Sequence, residues 1–144
     1  MDRARTTTSR SPAQTFALII GVVYLLVGIA GLFVGGKFTG GTEDDKLIIF
    51  RVNYLHDIIH LVLGAGWIYA SRTHALSKSV NMLFGVVLLL VALLGFLDPG
   101  DFMHTLINSG GSGDPDNFLH LVTGALGVYF GSAGAELGRP ATTV

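Results

Sequence analysis

His56 and His60 stand four residues apart with Asp57 between them, and His120 lies far along the chain. One helical face plus a second helix therefore offers three imidazoles and a carboxylate. Neutral imidazole is the commonest metal ligand, and an i, i+4 pair with a third histidine from a facing helix makes a donor set for a divalent transition metal. Two imidazoles facing one another from different helices, His56 or His60 with His120, would instead suit haem b. A third chemistry is proton relay through Asp57 and the histidines. No apolar segment carries a second charged residue in the half away from this cluster, so such a path stops halfway. Against all three stands a structural role, in which the histidines, Asp57, Asn53 and Asn117 hydrogen-bond one another across a helix pair and only orient it.

The elements that must position these groups follow from an apolar composition. The chain has 144 residues, 50% hydrophobic and only 13% charged, with net charge −1 and mean hydropathy +0.59. A soluble domain carries nearer ~25% charge, and a disordered chain is far less apolar. The absence of cysteine excludes disulfides, thiolate metal sites and thiol catalysis. No basic excess points to nucleic acid. Four stretches approach the ~20 apolar residues that cross a bilayer: 15–34, 47–70, 80–97 and 117–135. They predict an all-α, integral membrane four-helix bundle over 14–136, flanked by polar, disordered tails at 1–13 and 137–144. The first run is too long for a signal h-region and has no clear cleavage site after it, so it is read as a true span. With the N-terminus inside, the cytoplasmic flanks hold Arg3, Arg5, Arg10, Arg72, Lys78 and Arg139, against Lys37, Lys46 and Arg51 outside. This excess places both termini in the cytoplasm of a multi-pass cell-membrane protein, with the histidines in the outer half.

The chain also repeats itself. An offset of 64 lays Gly21-Val-Val over Gly85-Val-Val, Gly31 over Gly95, and Asn53-Tyr-Leu-His56 over Asn117-Phe-Leu-His120. An offset of 60 lays His60-Leu-Val-Leu-Gly64-Ala65 over His120-Leu-Val-Thr-Gly124-Ala125. The sequence reads as two duplicated helical hairpins related by an axis along the membrane normal, and it leaves open whether His56 or His60 is the counterpart of His120. With its two Asn-x-x-His signatures, each leading a glycine-bearing apolar helix in a four-span chain of this size, the sequence resembles the domain of unknown function 4383 family, small membrane proteins common in actinobacteria. The resemblance covers about 15–135. It implies the architecture and a role for Asn53, His56, Asn117 and His120, and it implies no reaction. Asp57 and His60 depart from the simpler pattern.

At 100° per residue, Asn53, His56, Asp57, His60, Gly64 and Trp67 share one face of the second span, and Asn117, His120, Gly124, Gly127 and Gly131 share one face of the fourth. Small residues let helix backbones approach, so the second and fourth spans are expected to meet through these glycines at the bundle centre, with the first and third around them. Asp114-Pro115-Asp116 reads as the capped start of the fourth span. Between the third and fourth spans, Phe102, Met103, Leu106 and Ile107 predict a short interfacial amphipathic turn, followed by a flexible linker at 109–113. His74 and His104 read as loop residues, and the nearby aspartates as a solvated rim. The chain holds no phosphate loop, nucleophile elbow, His-Glu-x-x-His or intramembrane carboxylate pair. The expectation is therefore a non-enzymatic accessory or scaffold subunit. Its partners would be the lipid bilayer and other membrane proteins or itself. No cofactor is expected on this reading; the alternative is a protein that binds haem or a metal through His56, His60 and His120.

Overall fold

Ser11 starts the first helix. Its hydroxyl accepts from Gln14 N and its own N–H donates to Gln14 Oε1, a reciprocal capping box with Pro12 in the first turn. The computed structural model describes residues 9–98 and 101–132. In chain order the elements are α1 (Pro12–Gly31), β1 (Lys46–Leu47), β2 (Phe50–Arg51), α2 (Tyr54–Ala70), α3 (His74–Leu97), α4 (Phe102–Ile107) and α5 (Pro115–Ser132). Among the described residues the fold is all-α but for one antiparallel hairpin that pairs Lys46 with Arg51 and Leu47 with Phe50, and two helices, α1 and α3, are long and apolar enough to cross a membrane.

Several expected boundaries move. The segment 47–53 was expected to open the second span, but it is hairpin and extended chain, and α2 starts at Tyr54 behind the cap Asn53. The apolar run Leu47-Ile-Ile-Phe50 imitates a helix start, yet a buried strand gives the same signal. The fourth segment begins earlier than expected, at Pro115, and α3 extends back to His74, capped by Thr73. The N-terminal tail expected to reach residue 13 ends sooner, since the helix begins at Pro12. Residues 1–8 and 133–144, which take in the rest of both expected tails, lie outside the described residues. Asp98 closes α3 in a left-handed conformation, φ 43°.

The four long helices pack in two pairs, α1 on α2 and α3 on α5. Glycine sets the spacing inside each pair. A Cβ on Gly64 would stand 2.7 Å from Leu25 N and 2.8 Å from Gly21 O; one on Gly124 would stand 2.9 Å from both Gly85 O and Leu89 N. Gly127 faces Asn81 and Gly85, and Gly131 faces Met82. The glycines thus join α2 to α1 and α5 to α3, which corrects the expectation that they join the second span to the fourth. Physically, backbone contact consumes the glycine stripe within each pair, and longer side chains fill the gap between α2 and α5.

The two pairs use matching contacts. Gly21 meets Gly64 as Gly85 meets Gly124, and Gly31 meets Asp57 as Gly95 meets Asn117. Helices α1 and α3 therefore follow the offset of 64, and α2 and α5 the offset of 60. His60 is the packing counterpart of His120, Asp57 that of Asn117, and His56 that of Asp116.

Polar ties fix both ends. At one end Asn81 accepts from Trp67 Nε1 at 3.0 Å and donates to Ala13 O at 3.0 Å, while Gln14 Nε2 donates to Ser71 O. His74, expected in a loop, starts α3 with Nδ1 2.9 Å from Ser11 Oγ. At the other end Asn108 Nδ2 donates to Thr42 O and Val52 O, both at 3.2 Å, so the loop before α2 and the loop after α4 form one cover. The histidines lie beneath it.

Candidate metal centre

His56 and His60 lie one turn apart on α2, and His120 lies in the second turn of α5. Each is at most 4% exposed. One ring nitrogen from each falls within 4.8 Å of the others, and ring centroids are 4.6 Å apart for His56–His60, 6.0 Å for His56–His120 and 6.2 Å for His60–His120. Bonds of ~2.0–2.1 Å to one tetrahedral ion would draw the nitrogens closer still, a contraction available to rotation of the imidazoles on fixed helices.

Among the described residues, neither ring nitrogen of His56 or of His60 has a hydrogen-bond partner. Buried polar groups ordinarily are paired, and each orphan carries a desolvation cost of ~1–3 kcal/mol. The purely structural role requires these rings to bond one another or the asparagines, and they do not. Asn53 is occupied elsewhere: Oδ1 accepts from His56 N at 2.8 Å and Nδ2 donates to Gly40 O and Leu106 O. Asn117 Nδ2 donates to Gly111 O at 2.9 Å and Ser112 O at 3.4 Å, which folds the expected flexible linker back onto the helix start. Asp57 points the other way, against Gly31 and Gly35. Of the six polar residues singled out by sequence, the structure brings three together and gives the other three separate places.

A seventh residue joins the three. Asp116 Oδ2 lies 3.4 Å from His56 Nε2 and 3.6 Å from His120 Nδ1, at ion-pair range, and Asp116 is itself buried. The sequence suggests a capping group in a solvated acidic rim, whereas Asp114 and Asp116 are both buried. The offset of 60, which pairs Asp116 with His56, and the i, i+4 spacing to His120 were the signals that could have found it. Asp114 holds it in place: Asp114 Oδ1 accepts from Asp116 N at 2.9 Å, and Oδ2 accepts from Gly110 N.

The rings separate two hollows. One is lined by His56, His60 and Asp116 with Leu47, Phe50 and Val52 of the hairpin region. The other, about 150 Å³, is lined by His56, His60 and His120 and otherwise by apolar residues of α2, α3 and α4. Pockets for larger ligands run from ~300 Å³ upward. A haem macrocycle does not fit a cavity of this size, so the arrangement suits an ion. Tyr24 and Trp67 pack on the far side, Tyr24 4.8 Å from the His60 ring and 5.0 Å from Trp67. The expected amphipathic turn is α4, which buries Met103 and Ile107 and exposes Phe102. His104, expected in a loop, lies in α4.

No curated protein and no solved structure matches the chain. A family model described as a domain of unknown function, DUF4383, matches residues 14–133. That stretch contains all four long helices apart from two N-terminal residues of α1, together with every group of the cluster. The chain belongs to the domain of unknown function 4383 family.

Proposed function

We propose that this chain is a non-enzymatic, four-span protein of the cell membrane that holds a divalent transition metal in the outer half of its bundle. His56, His60 and His120 are the ligands, and the carboxylate of Asp116 orients two of them. The observation that carries the reading is the set of three buried histidines with nitrogens within 4.8 Å, two of them without any hydrogen-bond partner among the described residues. A bound cation turns those orphaned lone pairs into bonds. Asp116 offsets part of its charge and fixes the imidazoles, as outer-shell carboxylates do.

Membrane residence is supported by what the helices present outward. Leu26, Val62, Leu83 and Val122 are each more than half exposed, one on each long helix. Contiguous apolar surface of that extent is unusual on a soluble monomer. In this reading α2 and α5, of 17 and 18 residues, cross beside the longer α1 and α3. The cover of loops then faces outward and both termini face the cytoplasm. The matched packing of the two pairs supports a duplication. The exposed apolar flanks of the helices suit an accessory subunit that lies against other membrane proteins.

The test is elemental analysis and a visible spectrum on the full chain, purified mildly from membranes grown with zinc, cobalt, nickel and copper supplied in turn. About one metal ion per chain, lost in His120→Ala and without a Soret band, is the expected result. A folded protein that takes up none of the four ions overturns the assignment.

A further inference from the structure

The histidines meet a cavity that the metal alone does not explain. Its walls include Leu63, Leu88, Val91, Met103 and Ile107, and its polar surface is the three imidazoles. Asp116 lines the opposite hollow and not this one. A metal held by three histidines keeps a fourth position open. On this side no side-chain carboxylate fills it.

Resting on the metal assignment above, we infer that this cavity admits a small uncharged ligand, no larger than a single ring, to the metal's open coordination position. Size sets the upper limit: the volume is about 150 Å³, and a dry apolar cavity of ~150 Å³ accepts benzene or xenon. The walls disfavour charge. An anion would gain from the ion's charge, which Asp116 offsets in part, but it would lose its hydration against apolar side chains with no cationic side chain lining the cavity. A neutral azole or a diatomic gas loses little on entry and gains a bond to the metal.

The cover over this cavity is the six-residue α4, flanked by left-handed residues at Asp101 (φ 59°) and Asn108 (φ 60°). Phe102 and Leu106 line the cavity from α4 and are also exposed. They form its rim, toward the apolar phase from which an uncharged molecule arrives.

The experiment uses the full chain in detergent micelles loaded with cobalt(II), whose visible bands report coordination. Imidazole, azide and 4-phenylimidazole are titrated separately, and retained cobalt is measured after desalting. Imidazole is expected to shift the bands saturably with cobalt retained, while azide and 4-phenylimidazole leave them unchanged. Two cavity-filling variants, Val91→Phe and Leu106→Phe, are expected to keep cobalt affinity within threefold and weaken imidazole at least tenfold. Cobalt uptake with no response to imidazole, with equal responses to all three probes, or with wild-type imidazole affinity in both variants overturns the inference while leaving the metal site standing. Where cobalt is refused, the same titrations are run on the nickel(II) or copper(II) form, and failure of the folded chain to take up any of zinc, cobalt, nickel and copper overturns the metal site and this inference together.

Discussion

Asp116 shows how one side chain can tie a site together across two helices. Its Oδ2 stands within ion-pair range of one nitrogen of each ring, 3.4 Å from His56 Nε2 and 3.6 Å from His120 Nδ1. Replacing it by asparagine keeps the shape and removes the charge. Asp116→Asn is expected to lower metal affinity by ~10–100-fold, the usual effect of losing an outer-shell partner, with unfolding little changed. Competition against a chelator of known affinity measures it, and an unaltered affinity would show the carboxylate to be a bystander. Asn53 acts differently, because it contacts no imidazole. It caps α2 through His56 N and anchors the cover through Gly40 O and Leu106 O. Asn53→Ala removes the cap, for ~1 kcal/mol, and leaves the carbonyls of Gly40 and Leu106 without this donor. The expected result is a lower midpoint of thermal unfolding and a smaller loss of metal affinity than in Asp116→Asn. Comparing the two variants separates positioning of the loop from positioning of the ligands.

Among the elements, the helix pairs were legible in part. Period 3.6 puts His56, His60, Gly64 and Trp67 on one face, and the structure buries all four. Periodicity names the residues of a face without naming the neighbour, because glycine permits close approach to any backbone. The contact that decided the partner is Gly64 against Gly21 and Leu25, with Gly124 against Gly85 and Leu89. The hairpin at 46–51 was illegible for a different reason: Leu47 to Phe50 is a continuous apolar run, and its Ile48, with φ 64°, takes a conformation that propensity assigns to glycine or asparagine. Asp116 was hidden by proximity to Asp114 and Pro115, a sequence that reads fully as a helix start. Close approach within the pairs leads to a prediction. Gly124→Val places branched methyls where even a Cβ stands 2.9 Å from Gly85 O, so α3 and α5 must separate. Destabilisation of ~1–3 kcal/mol is expected, read by unfolding in mixed micelles. The same replacement at Gly66, whose Cβ would meet only the Phe84 ring, is expected to cost less because a side chain can move where a backbone cannot.

For the whole molecule, the two ends are chemically unlike, and that asymmetry makes the proposed topology measurable. Glu43 and Ser112 belong to the cover that holds α2 and α5 at their starts, and Arg72 belongs to the tight turn at the other end. All three are exposed. The chain has no cysteine, so a single introduced thiol is the only one to react. With the termini inside, Glu43→Cys and Ser112→Cys label with a membrane-impermeant maleimide on intact cells, and Arg72→Cys labels only after permeabilisation. The reverse pattern would invert the orientation and place the metal centre in the inner leaflet. Labelling of all three on intact cells would remove the bilayer from between the ends. If the expected pattern holds, the histidines lie just beneath an extracytoplasmic cover, where an ion from outside meets them after displacing a loop and an uncharged ligand meets them from the apolar phase. The two hollows that meet the imidazoles would then be two routes to one ion, both walled mainly by apolar side chains and only one of them carrying the carboxylate of Asp116.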